Sequence, residues 1–242
     1  MFYLFCTNEK EYIPALTAKP YWDKSDKGCQ WVHRLEENSS IIIDEFNEIL
    51  GEQQKAIFAG DSAWQNKIMG TGWSAFRLKR LGKWNESNCK VFPKTYNILR
   101  SLDIPFAVRG VCFAKQTPGS GVNPHTDGRN FILTAHLGIN IPKEAWLKVG
   151  DEVRSWEQGK VTILDTSFEH STGNPSNQDR FVLIIDFWHP ELSMGERECL
   201  EFVYELRNKF EQGKIPQREP RTLQNQGLGG LWNTLTKIGQ NN

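Results

Sequence analysis

Between Phe131 and Ile141 the chain reads FILTAHLGINI, with Phe131, Leu133, Ala135, Leu137, Ile139 and Ile141 at every second position. Period-two alternation puts these residues on one face of a strand and Ile132, Thr134, His136, Gly138 and Asn140 on the other. A one-residue slip would exchange the two faces, so the pattern predicts a sheet that buries the first face while Thr134 and His136 point together from the second. Further strands are predicted at Ala107 to Gln116, at Val161 to Leu164 and through RFVLIIDFW from Arg180. A hairpin is predicted around Gly150-Asp151, within Leu147 to Trp156.

Helical spacing takes over elsewhere. Trp31, Val32, Leu35, Ile41, Ile42, Ile43, Phe46 and Leu50 recur at that spacing, broken at Asn38-Ser39-Ser40, where a serine suits the cap of a second helix. After Pro190, Leu200, Val203, Tyr204 and Phe210 fall on one predicted side of a C-terminal helix, with charges on the other. The chain is therefore expected to be mainly β (α+β), with an N-terminal helical layer and C-terminal helices. Residues 1–212 are read as one domain. Residues 213–242 are read as a linker and a short amphipathic tail (Leu228, Leu231, Trp232, Leu235, Ile238) that docks on the domain itself, or alternatively on a partner or a membrane surface.

Charge removes several partner classes. With 29 basic and 29 acidic residues there is no global field to attract nucleic acid or an anionic membrane. The start MFYLFCTNEK lacks the pattern of a secretory signal, and no run of about eighteen apolar residues is present to span a membrane. Cys6, Cys29, Cys89, Cys112 and Cys199 are odd in number and lack C-x-x-C spacing, which predicts reduced thiols in the cytoplasm or another reducing compartment.

The chemistry-bearing residues cluster downstream of Pro118. His125 and Asp127 are separated by one residue, so on an extended segment both point to one side. His170 follows the apolar run Val161 to Leu164 and supplies a second imidazole. Two imidazoles and a carboxylate form the facial set that holds Fe(II) and leaves positions open for a cosubstrate and O2. The alternative for Asp127 is a turn with Gly128. Arg180, ten residues after His170, offers a guanidinium able to grip a carboxylate bidentately, as the distal end of 2-oxoglutarate requires. A zinc hydrolase built on His125, Asp127 and His170 would leave Arg180 without a purpose. His189, just before Pro190, is read as structural. In WSAFRLKRLGKW aromatics alternate with Arg77, Lys79 and Arg80, as in a strand with one buried and one basic solvated face.

The segments KPYWD, NCKVFPKT, PGSGVNPHT, HLGINIPKE, WEQGKVTILDTSFEH and DFWHPEL, in this order, resemble the aspartyl/asparaginyl β-hydroxylase family over roughly Lys19 to Leu192. The resemblance implies a double-stranded β-helix (jelly-roll, cupin-like) dioxygenase in which His125 and His170 bind Fe(II). It further implies that Arg180 binds the distal carboxylate of 2-oxoglutarate and that His136 lies near its C1 carboxylate, on a peptide or small-molecule hydroxylase. Three positions depart from the family pattern. Asp127 replaces a glycine, Ala114 replaces a serine that assists the arginine, and Thr134 replaces an arginine near the C1 carboxylate. The resemblance also makes Arg77, Lys79 and Arg80 candidates for contacting an acidic substrate. Two alternatives stand beside this expectation: a hydroxylase of a fatty-acyl chain, and a cupin-like binding module without catalysis.

Overall fold

The structure is a computed structural model and describes residues 11–58, 69–70 and 72–213. In chain order the elements are β1 Tyr21–Trp22, α1 Trp31–Glu37, α2 Ser39–Ile57, β2 Trp73–Arg80, β3 Lys83–Trp84, α3 Glu86–Cys89 and α4 Pro93–Ser101. Then follow β4 Phe106–Gln116, β5 Ser120–His125, β6 Ile132–Asn140, β7 Trp146–Val149, β8 Glu152–Arg154, β9 Val161–Leu164, β10 His170–Asn174, β11 Arg180–Trp188 and α5 Met194–Glu211. The strands form a seven-stranded sheet, β1-β9-β6-β11-β4-β2-β3, and a four-stranded sheet, β5-β10-β7-β8. From β4 onward the chain passes back and forth between the two, which is the double-stranded β-helix expected from the resemblance.

Each side of the large sheet has its own apolar cluster because its strands alternate. Leu133, Ala135, Leu137 and Ile139 of β6 and Phe181, Leu183, Ile185 and Phe187 of β11 pack with Val32, Leu35, Ile42 and Phe46 of the helices. Between the sheets, Cys112, Ala114, Leu164 and Val182 meet Val122, Leu147 and Val149. The remaining β11 positions point to that interior, so the two polar residues at its ends, Arg180 and Asp186, enter the space between the sheets. The helical layer is locked by Glu45, a buried α2 carboxylate that accepts from Lys94 N (2.6 Å), Thr95 N (2.7 Å) and Thr95 Oγ1 (2.6 Å). The two amides and the hydroxyl belong to the first turn of α4, which has no side-chain cap of its own at Phe92.

Most expected elements are present, and α1 and α2 divide where the Asn38-Ser39-Ser40 break predicts. Two details differ. His170 does not hang from the end of β9 but opens a separate strand, β10, in the other sheet. On α5 only Leu200 and Tyr204, four residues apart and on one face, pack on the core, whereas Val203 and Phe210 are exposed. The compact unit Met1–Tyr204 contains both sheets. The second unit, Glu205–Asn242, is described only as far as residue 213, so the amphipathic tail from Leu228 lies outside the described residues.

β4 carries one irregularity that shapes the interior. Ile185 pairs with Val111 and Phe187 with Phe106, so Ala107 to Gly110 all stand against the single residue Asp186. Gly110 makes this possible with φ of 139°, and a Cβ there would collide with the Lys79 carbonyl oxygen on β2. Gly110→Ala is therefore expected to destabilise the fold by about 2 kcal/mol or more, read from the urea midpoint. An unchanged midpoint would contradict the steric argument.

Candidate metal centre

The two histidines of the centre face each other across a strand pair. His170, first residue of β10, is the register partner of His125, last residue of β5, and the ring centroids lie 4.1 Å apart. The pairing shifts between His170 and Thr172, which frees the strand end to close around the site. Each imidazole is fixed from behind. His125 Nδ1 lies 2.7 Å from the Asn123 carbonyl oxygen and His170 Nδ1 lies 3.0 Å from that of Phe168. A carbonyl only accepts, so both Nδ1 atoms carry the proton and both Nε2 lone pairs remain for a cation.

Asp127 joins them although the chain has left the β5 ladder before it. Its backbone N donates to the Thr166 carbonyl at 2.9 Å, tying its loop to the segment that leads into His170. One ligand atom each from His125, Asp127 and His170 lie within 4.8 Å of one another, a span one cation can bridge. Burial acts to raise the Asp127 carboxyl, but the Arg109 guanidinium overrides it, with a further contribution from His170, and holds the group well below the usual carboxylate range. His170 is shifted downward too, by burial against the opposing pull of Asp127, which favours the neutral ligating form.

Arg109 is the residue that sequence reasoning missed. It lies in the irregular part of β4, pairs with Asp127 Oδ2, and has its Nε 3.7 Å from Asp186 Oδ2. Asp186 Oδ1 in turn accepts from Thr134 Oγ1 at 2.8 Å. Burial alone would lower the Arg109 guanidinium, yet Asp127 and Asp186 more than offset it and keep it charged. Thr134 thus ends a chain of contacts, Thr134 to Asp186 to Arg109 to Asp127, that crosses three strands to the candidate carboxylate ligand. The available signal was Gly110, because a glycine inside a strand pattern marks a bulge.

Arg180 occupies the other end of the interior. It is 2% exposed, donates from a terminal nitrogen to Gln116 Oε1, and has its Cζ 4.6 Å from the Trp156 ring centroid. Its Nε is buried without a hydrogen-bond partner, and no carboxylate pairs with it among the described residues. Burial alone depresses it to about 9. Gln116 lies two residues beyond Ala114 on the same face of β4, which brings its amide oxygen to the arginine. Between the two ends lies His136, whose Nδ1 accepts from Trp156 Nε1 at 3.2 Å, leaving the proton on Nε2. Burial is the main cause that pushes His136 down to about 3, and the charges of both Arg180 and His170 add to it.

His189 fills the structural place expected of it. It is fully buried, its Nε2 is 3.0 Å from the Thr17 carbonyl oxygen, and its Nδ1 accepts from Glu191 N at 3.2 Å. Cys29, Cys89, Cys112 and Cys199 are free thiols. No helix among the described residues is long and apolar enough to cross a membrane.

Trp156→Phe keeps an aromatic ring beneath Arg180 and removes the donor to His136. The variant is expected to cost about 1–3 kcal/mol and to populate both neutral tautomers of His136, seen as displaced imidazole 15N resonances. Unmoved resonances in a folded variant would rule out that hydrogen bond as the determinant of the tautomer.

Comparison with known proteins gives this chain relatives. The sequence model of a family described as Aspartyl/Asparaginyl beta-hydroxylase matches residues 36–190. The chain is 34% identical over 192 residues to the aspartyl/asparaginyl beta-hydroxylases of Mus musculus and Homo sapiens, covering 78% of this chain and 26% and 25% of theirs. It is 30% identical over 200 residues to aspartate beta-hydroxylase domain-containing protein 2 of Xenopus tropicalis, covering 80% of this chain and 53% of that one. The chain thus spans about a quarter to about half the length of these curated relatives. Among solved structures it is similar to a prolyl hydroxylase in complex with a hypoxia inducible factor peptide fragment from Trichoplax adhaerens. That similarity has 14% identity and a TM-score of 0.43, over 74% of this chain and 99% of that one. A Cupin 2 conserved barrel domain protein from Salinispora arenicola is similar at 14% identity and a TM-score of 0.34, over 59% and 90% of the two chains.

Proposed function

The chain belongs to the aspartyl/asparaginyl β-hydroxylase family, and from that premise we propose that it is an Fe(II)/2-oxoglutarate-dependent dioxygenase that hydroxylates an aspartyl or asparaginyl residue of a peptide or a related small substrate. The observation that carries the reading is Arg180, a buried guanidinium with an unpartnered Nε and no carboxylate to neutralise it among the described residues. A fold does not keep such a charge at no cost, because burial already depresses it. The distal carboxylate of 2-oxoglutarate is the partner it suits. A zinc hydrolase gives this cation no purpose.

The donor set fits the iron. Two neutral imidazoles presenting Nε2 and one ionised carboxylate match the 2-His-1-carboxylate set of non-haem Fe(II). When bound, iron and 2-oxoglutarate would supply O2 activation coupled to oxidative decarboxylation of the keto acid. The residues do the rest. Arg180, steadied by Gln116 and Trp156, anchors the distal carboxylate. His136, held with its proton on Nε2, donates toward the C1 carboxylate from its place within electrostatic reach of both Arg180 and His170. Arg109 keeps Asp127 ionised and oriented. Thr134 acts on this site through Asp186 instead of touching the cosubstrate with a charge.

Arg180→Ala is expected to weaken 2-oxoglutarate binding by about a hundredfold, since truncating one partner of a buried charge pair costs roughly 2–5 kcal/mol, while Fe(II) binding stays as in the parent. Anaerobic titration of the full chain with each ligand separates the two, and equal 2-oxoglutarate affinity in the variant overturns the role. Asp127→Asn retains an oxygen for Arg109 and loses the charge, so it is expected to weaken Fe(II) binding by about tenfold or more. Unchanged iron affinity would mean that the two histidines suffice. Release of succinate, screened across peptide, free amino acid and acyl substrates, tests the activity itself.

A further inference from the structure

After His125 the chain leaves the small sheet, and residues 126–131 cross to β6 outside both sheets. Asp127 lies in that crossing, so its carboxylate is only as well placed as the loop that carries it. Apart from the Asp127 N bond to Thr166, the loop is held by segments that belong to neither sheet. Glu11 N donates to the Gly128 carbonyl at 2.7 Å, and Ile13 N donates to Asn130 Oδ1 at 2.9 Å. Asn130 Nδ2 returns a bond to the Ile13 carbonyl at 3.0 Å. Gly128, with φ of 72°, turns the chain, and Arg129 then reaches back to donate from Nε to the Asp127 carbonyl at 3.3 Å.

The same guanidinium has a second partner on α5. Its Nη1 donates to the Tyr204 hydroxyl at 3.0 Å, so Arg129 bridges the helix and the backbone of Asp127. Apolar burial seats that hydroxyl: Tyr204 and Ile13 pack on Val108, Phe131 and Trp188, and Trp188 Nε1 donates to Glu201 Oε1 at 3.4 Å one turn earlier on α5. Val108 is the neighbour of Arg109, which grips the Asp127 carboxylate itself. Asp127 is thereby held at both ends, by Arg109 at its side chain and by Arg129 at its carbonyl, and both arginines are placed by the cluster under α5. Arg129 is only half-buried, so without the hydroxyl its guanidinium could turn to water and release the loop. Residues 11–13 and Tyr204 lie outside the family-matched residues 36–190, and the family comparison gives them no part.

We infer that Tyr204 is a positioning residue for the metal centre, holding the Asp127 loop through Arg129 so that the carboxylate stays within reach of His125 and His170. The inference rests on the reading of Asp127 as an Fe(II) ligand.

The test is anaerobic titration of the full chain with Fe(II) alone. Tyr204→Phe keeps the ring in its cluster and removes the acceptor of Arg129. It is expected to weaken Fe(II) binding by about tenfold, the lower end of what outer partners of metal ligands contribute. Arg129→Gln breaks the same bond from the loop side, at a half-buried position that tolerates exchange, and is expected to give a similar loss. In the Asp127→Asn background Tyr204→Phe is expected to add no further loss, because the two residues then act as one unit. Parent-like Fe(II) affinity in Tyr204→Phe and Arg129→Gln overturns the inference. So does an equal loss with and without the Asp127 carboxylate, which would mark a general loosening of the fold. If Asp127→Asn weakens iron binding and the other two variants do not, the ligand assignment stands and the positioning role alone falls. Parent-like affinity in all three removes both. No 2-oxoglutarate is present, so none of these outcomes bears on the role of Arg180.

Discussion

The pairing of His170 with His125 across β10 and β5 is the constraint on which the centre depends. It brings together residues 45 positions apart, and it holds only in one register, because a slip of one residue on either strand would turn an imidazole to the opposite face. What fixes that register lies outside the pair. β10 is flanked on its other side by β7, with His170 opposite Val149 and Thr172 opposite Leu147, and both of those apolar residues are buried between the sheets. Apolar burial along β7 therefore sets the position of two candidate ligand side chains to which it contributes no atoms.

Two guanidiniums, the buried Arg180 and the partly exposed Arg109, divide the interior between them, and their surroundings differ. Arg109 is flanked by two carboxylates and is neutralised within the fold. Arg180 has an amide and an indole but no counter-charge among the described residues. A pair with its own carboxylate contributes order, whereas a buried cation without one contributes affinity for an anion from outside. His136 sits under the influence of Arg180 and His170 and remains neutral. A protonated imidazole there would set a second positive group beside Arg180.

Much of this was legible in the chain. The alternation of Phe131 to Ile141 located β6 and its two faces, and the strand-like run RFVLIIDFW located β11. His125, Asp127 and His170 could be grouped because metal chemistry restricts residue type. The contacts that hold the site were not legible. Arg109 reaches Asp127 only because four residues of β4 stand against one of β11, and local composition does not reveal such a count. Gln116, Trp156 and Asp186 act through partners 64, 20 and 52 residues away. The exposure of Val203 and Phe210 was missed because helical periodicity locates a face without saying whether the domain covers all of it.

The place of β11 in the large sheet bears on how such a chain is made. Among the described residues it is the last strand in sequence, yet it lies between β6 and β4 in the middle of the seven-stranded order. While the chain emerges from the ribosome, β4 and β6 each present an open edge until residues 180–188 have left the exit tunnel, and neither half of the large sheet can close before then. The long-range pairing makes assembly slow to begin and cooperative once begun. The cation of Arg180 enters with that same final strand, so the interior acquires its unpaired charge only as the last strand closes the sheet around it.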